Sequence, residues 1–399
     1  MSGMVLSERA RTLEPSATLA VVAKAKAMKR EGKPVISFGA GEPDFNSPES
    51  ALKYAVEAME KGYTHYTPGT GIPELKEAVC SYYSKRFGLE YAPGDVVVGA
   101  GAKILLYEAL SCLVDPGDEV IVFAPAWVSY VEQIRLCGGK EVIVDTSETD
   151  SIPDLNEVRR VISDKTKCMM INSPNNPTGA VYDEETLKGL ASIAVENDIV
   201  IIYDEIYEQL VYGDAAHHQI VALAPEVRDH TIIINGVSKA YAMTGWRIGY
   251  ALGPSELMAK VGAVQGHLTS NPCSIAQYAA LGALKEADGD IVKMHGHFSD
   301  RRDLILKLLG DVPLIEFVEP QGAFYVLVNV KKALGKSCDG EKLTDDVHFC
   351  QKLLDKSYVA MVPGSAFFAP GHIRVSYSNS TEEIVEGIKR LKEFIEKLS

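Results

Sequence analysis

The sequence predicts an α/β fold: a mostly parallel sheet covered by helices on both faces. Three observations point there. Short apolar runs rich in β-branched residues recur through the middle of the chain, helical patterns separate them, and each run stops at polar or glycine-containing residues. Val96–Val98 is the first run, followed by Gly99-Ala100-Gly101-Ala102 and a helical stretch from Lys103 to Leu113. Glu119–Phe123 reads as a buried strand that ends before Pro125. Cys168–Ile171 stops at Asn172-Ser173-Pro174, Ile199–Tyr203 at Asp204, and Thr231–Ile234 at Asn235-Gly236. Between the third and fourth runs, Asp183–Asn197 places Leu187, Leu190, Ile193 and Ala194 on one helical face.

The two ends read differently. Ser7–Arg30 has an amphipathic helical pattern, followed by a short strand near Val35–Phe38. Ala323–Val330 and His372–Tyr377 are strand-like. The last helix begins with Ser380-Thr381-Glu382-Glu383, a capping box in which the Ser380 hydroxyl and the Glu383 carboxylate satisfy amides at the helix start. Ile384, Ile388, Leu391, Ile395 and Leu398 then share a face. This pattern divides the chain into a large α/β domain, 48–295, and a smaller α+β domain from both termini, 1–47 and 296–399. No internal repeat or low-complexity linker is visible.

Composition bounds the function. The chain has 399 residues, 46% apolar and 24% charged, as expected of a globular protein. Its formal charge of −14 argues against nucleic-acid or anionic-membrane binding, though not against a small anion in a local basic pocket. Met1–Pro15 lacks a signal-peptide apolar core, and the longest apolar run, about Val120–Val128, is too short for a bilayer. The seven cysteines are scattered with no C-x-x-C spacing, so they read as reduced buried thiols of a cytoplasmic protein.

Several motifs are missing. Gly335-Lys336-Ser337 lacks the earlier glycine of a phosphate loop, because Val330 stands there, and Gly99-Ala100-Gly101 is not extended to G-x-G-x-x-G. No G-x-S-x-G elbow or H-E-x-x-H metal motif occurs. His217-His218 are adjacent, cannot share a helix face, and read as a solvated loop. No metal is expected.

In parallel α/β sheets the ligand crevice lies beyond the carboxyl ends of the strands. This chain places there the glycine-rich turn with a helix start at Ala102-Lys103, then Trp127, then Asn175-Asn176-Pro177-Thr178-Gly179. Asp204 and Tyr207 follow the fourth run; Ser238-Lys239 and then Arg247 follow the fifth. Any one of these residues has a bland structural explanation. Together they suit pyridoxal 5'-phosphate. Its phosphate needs amides and a guanidinium, its ring nitrogen a carboxylate, its phenolic oxygen donors, its face an aromatic ring, and its aldehyde a lysine.

At these residues the sequence resembles the class I aminotransferases of pyridoxal-phosphate fold type I. The matching stretches are Gly39–Phe45, Tyr66–Gly71, Ser173–Gly179, Tyr203–Tyr207, Ser238–Tyr250 and Ile373–Ser376, in the expected order. The bacterial and archaeal-type aspartate aminotransferases, the branch that includes prephenate aminotransferases, look most similar. The resemblance implies a seven-stranded, mostly parallel sheet in the large domain and a homodimer with shared active sites. By the same resemblance Lys239 forms the Schiff base and acts as general base, and Asp204 pairs with the pyridinium nitrogen. Asn176 and Tyr207 bind the phenolic oxygen, and Trp127 stacks on the ring. The amides of Gly101, Ala102 and Lys103, with Ser238 and Arg247, hold the phosphate. Tyr66 reaches the phosphate of the partner subunit, Arg374 takes the substrate α-carboxylate with the Gly41 backbone nearby, and Asn271 faces the partner site.

Substrate choice follows less directly. Gln265-Gly266-His267-Leu268-Thr269 holds no arginine where other aspartate aminotransferases place one for the distal carboxylate. Lys103, helped by Ser16 and Thr18, is the candidate in its place. Leu13-Glu14 lacks the basic residue often found in prephenate-accepting relatives, and Gly236 stands where many members have a phosphate-binding serine. The resemblance thus implies ping-pong transfer of an amino group from aspartate or glutamate to a 2-oxo acid such as 2-oxoglutarate. Aromatic, broad-specificity or prephenate transamination, another fold-type-I reaction such as a lyase, and a non-catalytic cofactor-binding module are the alternatives.

Overall fold

The computed structural model describes residues 5–7, 10–11, 13 and 15–399. Met1–Met4, Glu8, Arg9, Thr12 and Glu14 lie outside the described residues, and with them parts of the Met1–Pro15 segment, of the expected Ser7–Arg30 helix and of the Leu13-Glu14 pair. The described helix there, α1, is Ala17–Arg30.

Seven strands form the central sheet: β1 Val96–Gly99, β2 Glu119–Ala124, β3 Lys140–Asp145, β4 Thr166–Asn172, β5 Val200–Asp204, β6 Thr231–Gly236 and β7 Gly249–Leu252. Their order is β1-β7-β6-β5-β4-β2-β3. Only β7 runs against its neighbours, β1 and β6; the β2–β3, β2–β4, β4–β5 and β5–β6 pairings are parallel. Both faces are covered, which is why the strands read as continuous apolar runs. Ile121, Met169, Ile171, Ile201 and Ile233 pack on one side with Leu187 and Leu190; Val120, Val122, Cys168, Met170, Ile202 and Ile232 pack on the other with Leu105 and Ala109.

Two strands escaped the sequence reading. Lys140–Asp145 is an edge strand with charged ends, and Gly249–Leu252 is four residues long and opens on glycine. Gly249 pairs with Gly99 on one side and Gly236 on the other. A Cβ at Gly249 would collide with the Ala102 amide, and one at Gly236 would sit 2.8 Å from the Gly249 Cα. Three glycines abreast therefore let the helix α2, Ala102–Leu113, begin directly on the sheet end. This close packing also accounts for Gly236, because any side chain there meets backbone.

A second, four-stranded antiparallel sheet comprises β8 Glu316–Phe317, β9 Tyr325–Asn329, β10 Val362–Pro363 and β11 His372–Ser376, in the order β10-β11-β9-β8. Phe298, Phe324, Phe349, Ile373, Val375, Ile388 and Leu391 fill its own core. Ile36–Ser37 pairs in parallel with Val359–Ala360, tying the N-terminal segment to this unit.

Three expectations need correction. The capping box at the last helix, Thr381–Glu396, is half formed: Ser380 Oγ accepts the Glu383 amide at 3.3 Å, but the Glu383 carboxylate accepts the Asn379 side-chain amide at 2.7 Å. His217 is not solvated; its side chain is only 4% exposed, with Nε2 3.0 Å from the Glu205 carboxylate and its ring stacked on Tyr203. Of the seven cysteines, none of which forms a disulfide, only Cys168, Cys338 and Cys350 are buried, and Cys273 is exposed. Among the described residues, no helix is long and apolar enough to cross a membrane.

Candidate active site

The polar residues at the strand ends converge on one cleft of about 230 Å³. Gly41, Ala102, Lys103, Trp127, Asn176, Asp204, Tyr207, Ser238, Lys239, Arg247 and Arg374 line it, as does Thr18. Gly101, Ser16, Tyr66 and Asn271 do not. Gly101 lies one residue behind the lining, Ser16 caps α1 by accepting the Leu19 amide at 3.4 Å, and Tyr66 is 91% exposed. Asn271 donates its side-chain amide to its own neighbour, the Pro272 carbonyl, at 2.7 Å.

Asp204 closes β5 at the floor of the cleft. It is buried, and Tyr130 donates a 2.6 Å hydrogen bond to its Oδ2 while the Ile206 amide donates to Oδ1 at 3.2 Å. Desolvation outweighs these donors and raises its pKa to about 6. Asn172 ties the adjoining strand end in place, giving Nδ2 to the Asp204 carbonyl at 3.0 Å and accepting the Asn176 amide at 2.9 Å.

Lys239 projects from the turn after β6. Its ammonium donates to the Gly41 carbonyl at 2.6 Å. Desolvation, and then the Arg374 charge, lower its pKa to about 8. A neutral amine is therefore accessible close to physiological pH.

Arg374 on β11 is almost fully buried at 2% exposure. It donates Nη1 to Asn176 Oδ1 and Nη2 to the Gly39 carbonyl, both at 2.9 Å, while Nε has no partner among the described residues. Burial pulls its pKa below the usual arginine value. Because the Asn176 oxygen is engaged by Arg374, its NH2 is the end that can donate to a cleft ligand. The Tyr207 and Tyr325 hydroxyls meet at 2.9 Å beside it.

The opposite wall is built by α2 and the turn after β6. First-turn amides of a helix have no intrahelical acceptor, so those of Ala102 and Lys103, two residues that line the cleft, are available to an anion. The Gly101 amide is already given to the Gly99 carbonyl at 2.8 Å. Gly101 adopts φ +92°, and a Cβ on it would collide with the Arg247 guanidinium. The cradle thus requires glycine. Arg247 itself is held at φ +57° with Nη1 on the Thr244 carbonyl at 3.0 Å. The Lys103 ammonium lies 4.5 Å from the Trp127 ring centroid, its pKa lowered by burial and by Arg247. The Thr18 hydroxyl is buried without a hydrogen-bond partner among the described residues.

These groups fit pyridoxal phosphate by their chemistry. The site offers an anion cradle closed by glycine and arginine, a buried carboxylate at the floor, an aromatic wall and an amine of lowered pKa. No grouping of His, Cys, Asp or Glu among the described residues could hold a metal ion. Sequence reasoning missed Asn172, Tyr130 and Tyr325. Tyr130 could have been found from its position three residues after Trp127 on a short helix, whereas Tyr325 in a strand gives no signal beyond that of a core residue.

The sequence model described as "Aminotransferase class I and II" matches residues 33–391. The chain is 44% identical to an aspartate aminotransferase of Bacillus sp. strain YM-2, across 98% of this chain and 99% of that protein. It is 43% identical to a probable aspartate/prephenate aminotransferase of Aquifex aeolicus, across 98% and 99% respectively. The solved structure of Thermus thermophilus aspartate aminotransferase with maleate superposes with a TM-score of 0.92 at 41% identity, covering 98% of this chain and all of that one.

Asp204 supplies a prediction about the cofactor-free protein. Its folded pKa, about 6, lies above the ordinary aspartate value of 3.8, so its contribution is intact below about pH 4 and is lost as pH rises through 6. Asp204→Asn has no carboxyl to ionise. Relative to wild type, the variant should gain on the order of 2 kcal/mol of stability between about pH 4 and pH 7. Urea unfolding across that range checks this; a stability difference that does not change with pH would contradict it.

Proposed function

The chain belongs to the class I and II aminotransferases, which are pyridoxal-phosphate enzymes, and on that premise we propose that it transfers the amino group of aspartate or glutamate to a 2-oxo acid in two alternating half-reactions. When bound, pyridoxal phosphate supplies an aldehyde that captures the amino group and a ring that accepts the electron pair left when the α-proton departs. Lys239 would hold that aldehyde, and its amine is the group placed to take a proton from the substrate α-carbon. Asp204 would keep the ring nitrogen protonated, and a cation there would in turn favour the carboxylate form of Asp204. Trp127 would cover the ring face. Asn176 and Tyr207 would bind its phenolic oxygen, while Ala102, Lys103, Ser238 and Arg247 would hold the phosphate, with Gly101 leaving room for it. Arg374 and Asn176 orient the substrate α-carboxylate beside Gly41.

One observation carries the choice of a dicarboxylic substrate: besides Lys239 and the phosphate-side Arg247, two further cations, Arg374 and Lys103, line the cleft, and Thr18 lines it too. The Thermus thermophilus relative was solved with maleate, a four-carbon dicarboxylate. A half-reaction screen tests the reading. Each amino acid is mixed with holoenzyme and the loss of cofactor absorbance is followed. Aspartate and glutamate should react fastest, and Lys103→Ala should raise the aspartate KM roughly tenfold or more while sparing aromatic donors. Reaction with aromatic donors alone would refute it.

The same reading includes a homodimer, with Tyr66 completing the partner's phosphate site and Asn271 facing it, and domains meeting at about residues 47–48 and 295–296. Leu52, Val56 and Met59, all exposed, recur along one face of the helix Glu49–Glu60, close in sequence to exposed Tyr63 and Tyr66. Cysteines that form no disulfide suit a cytoplasmic setting. Sedimentation should give twice the 43.3 kDa chain mass, and a monomer at micromolar concentration that remains fully active would contradict the dimer.

A further inference from the structure

Arg374 is held by more than hydrogen bonds. Its guanidinium carbon lies 4.4 Å from the Tyr325 ring centroid and 4.9 Å from that of Phe367. Tyr325 belongs to β9, whose ladder with β11 fixes it, since Leu327 pairs directly with Arg374. Phe367 has no ladder. It comes from the turn 364–371, where Ala369 donates to the Gly364 carbonyl at 2.9 Å and Phe368 takes φ +61°.

One carboxylate grips both ends of that turn. Asp346 Oδ2 accepts the Ser365 amide at 2.7 Å, and Oδ1 accepts the Gly371 amide at 3.2 Å. Asp346 is 2% exposed. It is not needed to cap its own helix, Asp346–Ser357, because the preceding Asp345 does so by accepting the His348 amide at 2.8 Å. The turn also reaches across the cleft wall: the Phe367 carbonyl accepts the Ala126 amide at 3.0 Å, one residue before Trp127. A single buried anion therefore anchors a segment that touches both the Arg374 fork and the chain carrying Trp127.

We propose that Asp346 is a positioning residue for substrate binding, fixing the turn 364–371 so that Phe367 holds the Arg374 guanidinium in its productive orientation. The inference rests on the reading that Arg374 takes the α-carboxylate. The site needs a group that only accepts, because two N–H donors point at its two oxygens. Asparagine would oppose one N–H with another, and the turn would shift. Small displacements of an orienting group weaken binding steeply.

The test uses the holoenzyme and three variants, Asp346→Asn, Phe367→Leu and Arg374→Lys. It reads KM and kcat for the amino donor, the Kd of maleate from the change in cofactor absorbance, and the melting temperature. Asp346→Asn and Phe367→Leu should each raise KM and the maleate Kd about tenfold while kcat at saturation stays within about twofold. A merely structural role would lower the melting temperature and leave KM and Kd alone, and that result overturns the proposal. If Asp346→Asn does not fold, Phe367→Leu decides on the same readouts. Arg374→Lys separates the two levels. If it leaves KM and Kd unchanged, the α-carboxylate reading falls and takes this inference with it; if it raises them while the other two variants do not, only the positioning role of Asp346 is refuted.

Discussion

Charges withheld from water at one cleft are the constraint on which the rest of the molecule depends. Asp204, Lys239 and Arg374 come from three separate segments, and each is displaced from its ordinary pKa chiefly by desolvation. The shifts run toward the neutral form in every case, so the site is electrostatically incomplete by itself. On the proposed reading, a cationic ring beside Asp204, a carbonyl group held at Lys239 and a carboxylate at Arg374 would each relieve one of these burdens. Tight binding of the cofactor and orientation of the substrate thus draw on the same unfavourable field that the fold creates.

Maintaining such a field requires a rigid frame, and the backbone provides it by close approach. Gly99, Gly249 and Gly236 lie abreast at the sheet end, which brings the start of α2 against the turn that carries Lys239. Gly101 then leaves the Arg247 guanidinium beside the helix amides. On the far side, Arg374 is gripped by two acceptors and two rings. The anion cradle and the carboxylate fork are therefore built by different sheets, and the cleft lies between them.

Much of this was legible in the sequence, for a physical reason. Strands buried on both faces must be apolar throughout, so Asp204 and Lys239 stand out as the first ionisable residues beyond such runs. Arg374 was not marked in that way; only the resemblance of Ile373–Ser376 singled it out. Tyr130, Tyr325 and Phe367 carry no signal of their own, because an aromatic residue in a strand or short helix serves a core equally well. His217 was misread because its partner, Glu205, lies 12 residues away, and a histidine pair beside Gly213-Asp214 looks like a solvated loop. The short strands Lys140–Asp145 and Gly249–Leu252 were hidden by charge and by length.

Covalent attachment at Lys239 is the most direct test of the whole account. Purified protein is incubated with vitamin B6 phosphate, reduced with borohydride, digested and sequenced by mass spectrometry. A pyridoxyl adduct on the Lys239 side chain is the expected result. Stoichiometric labelling at another lysine, or none at all, would contradict the assignment of the cleft.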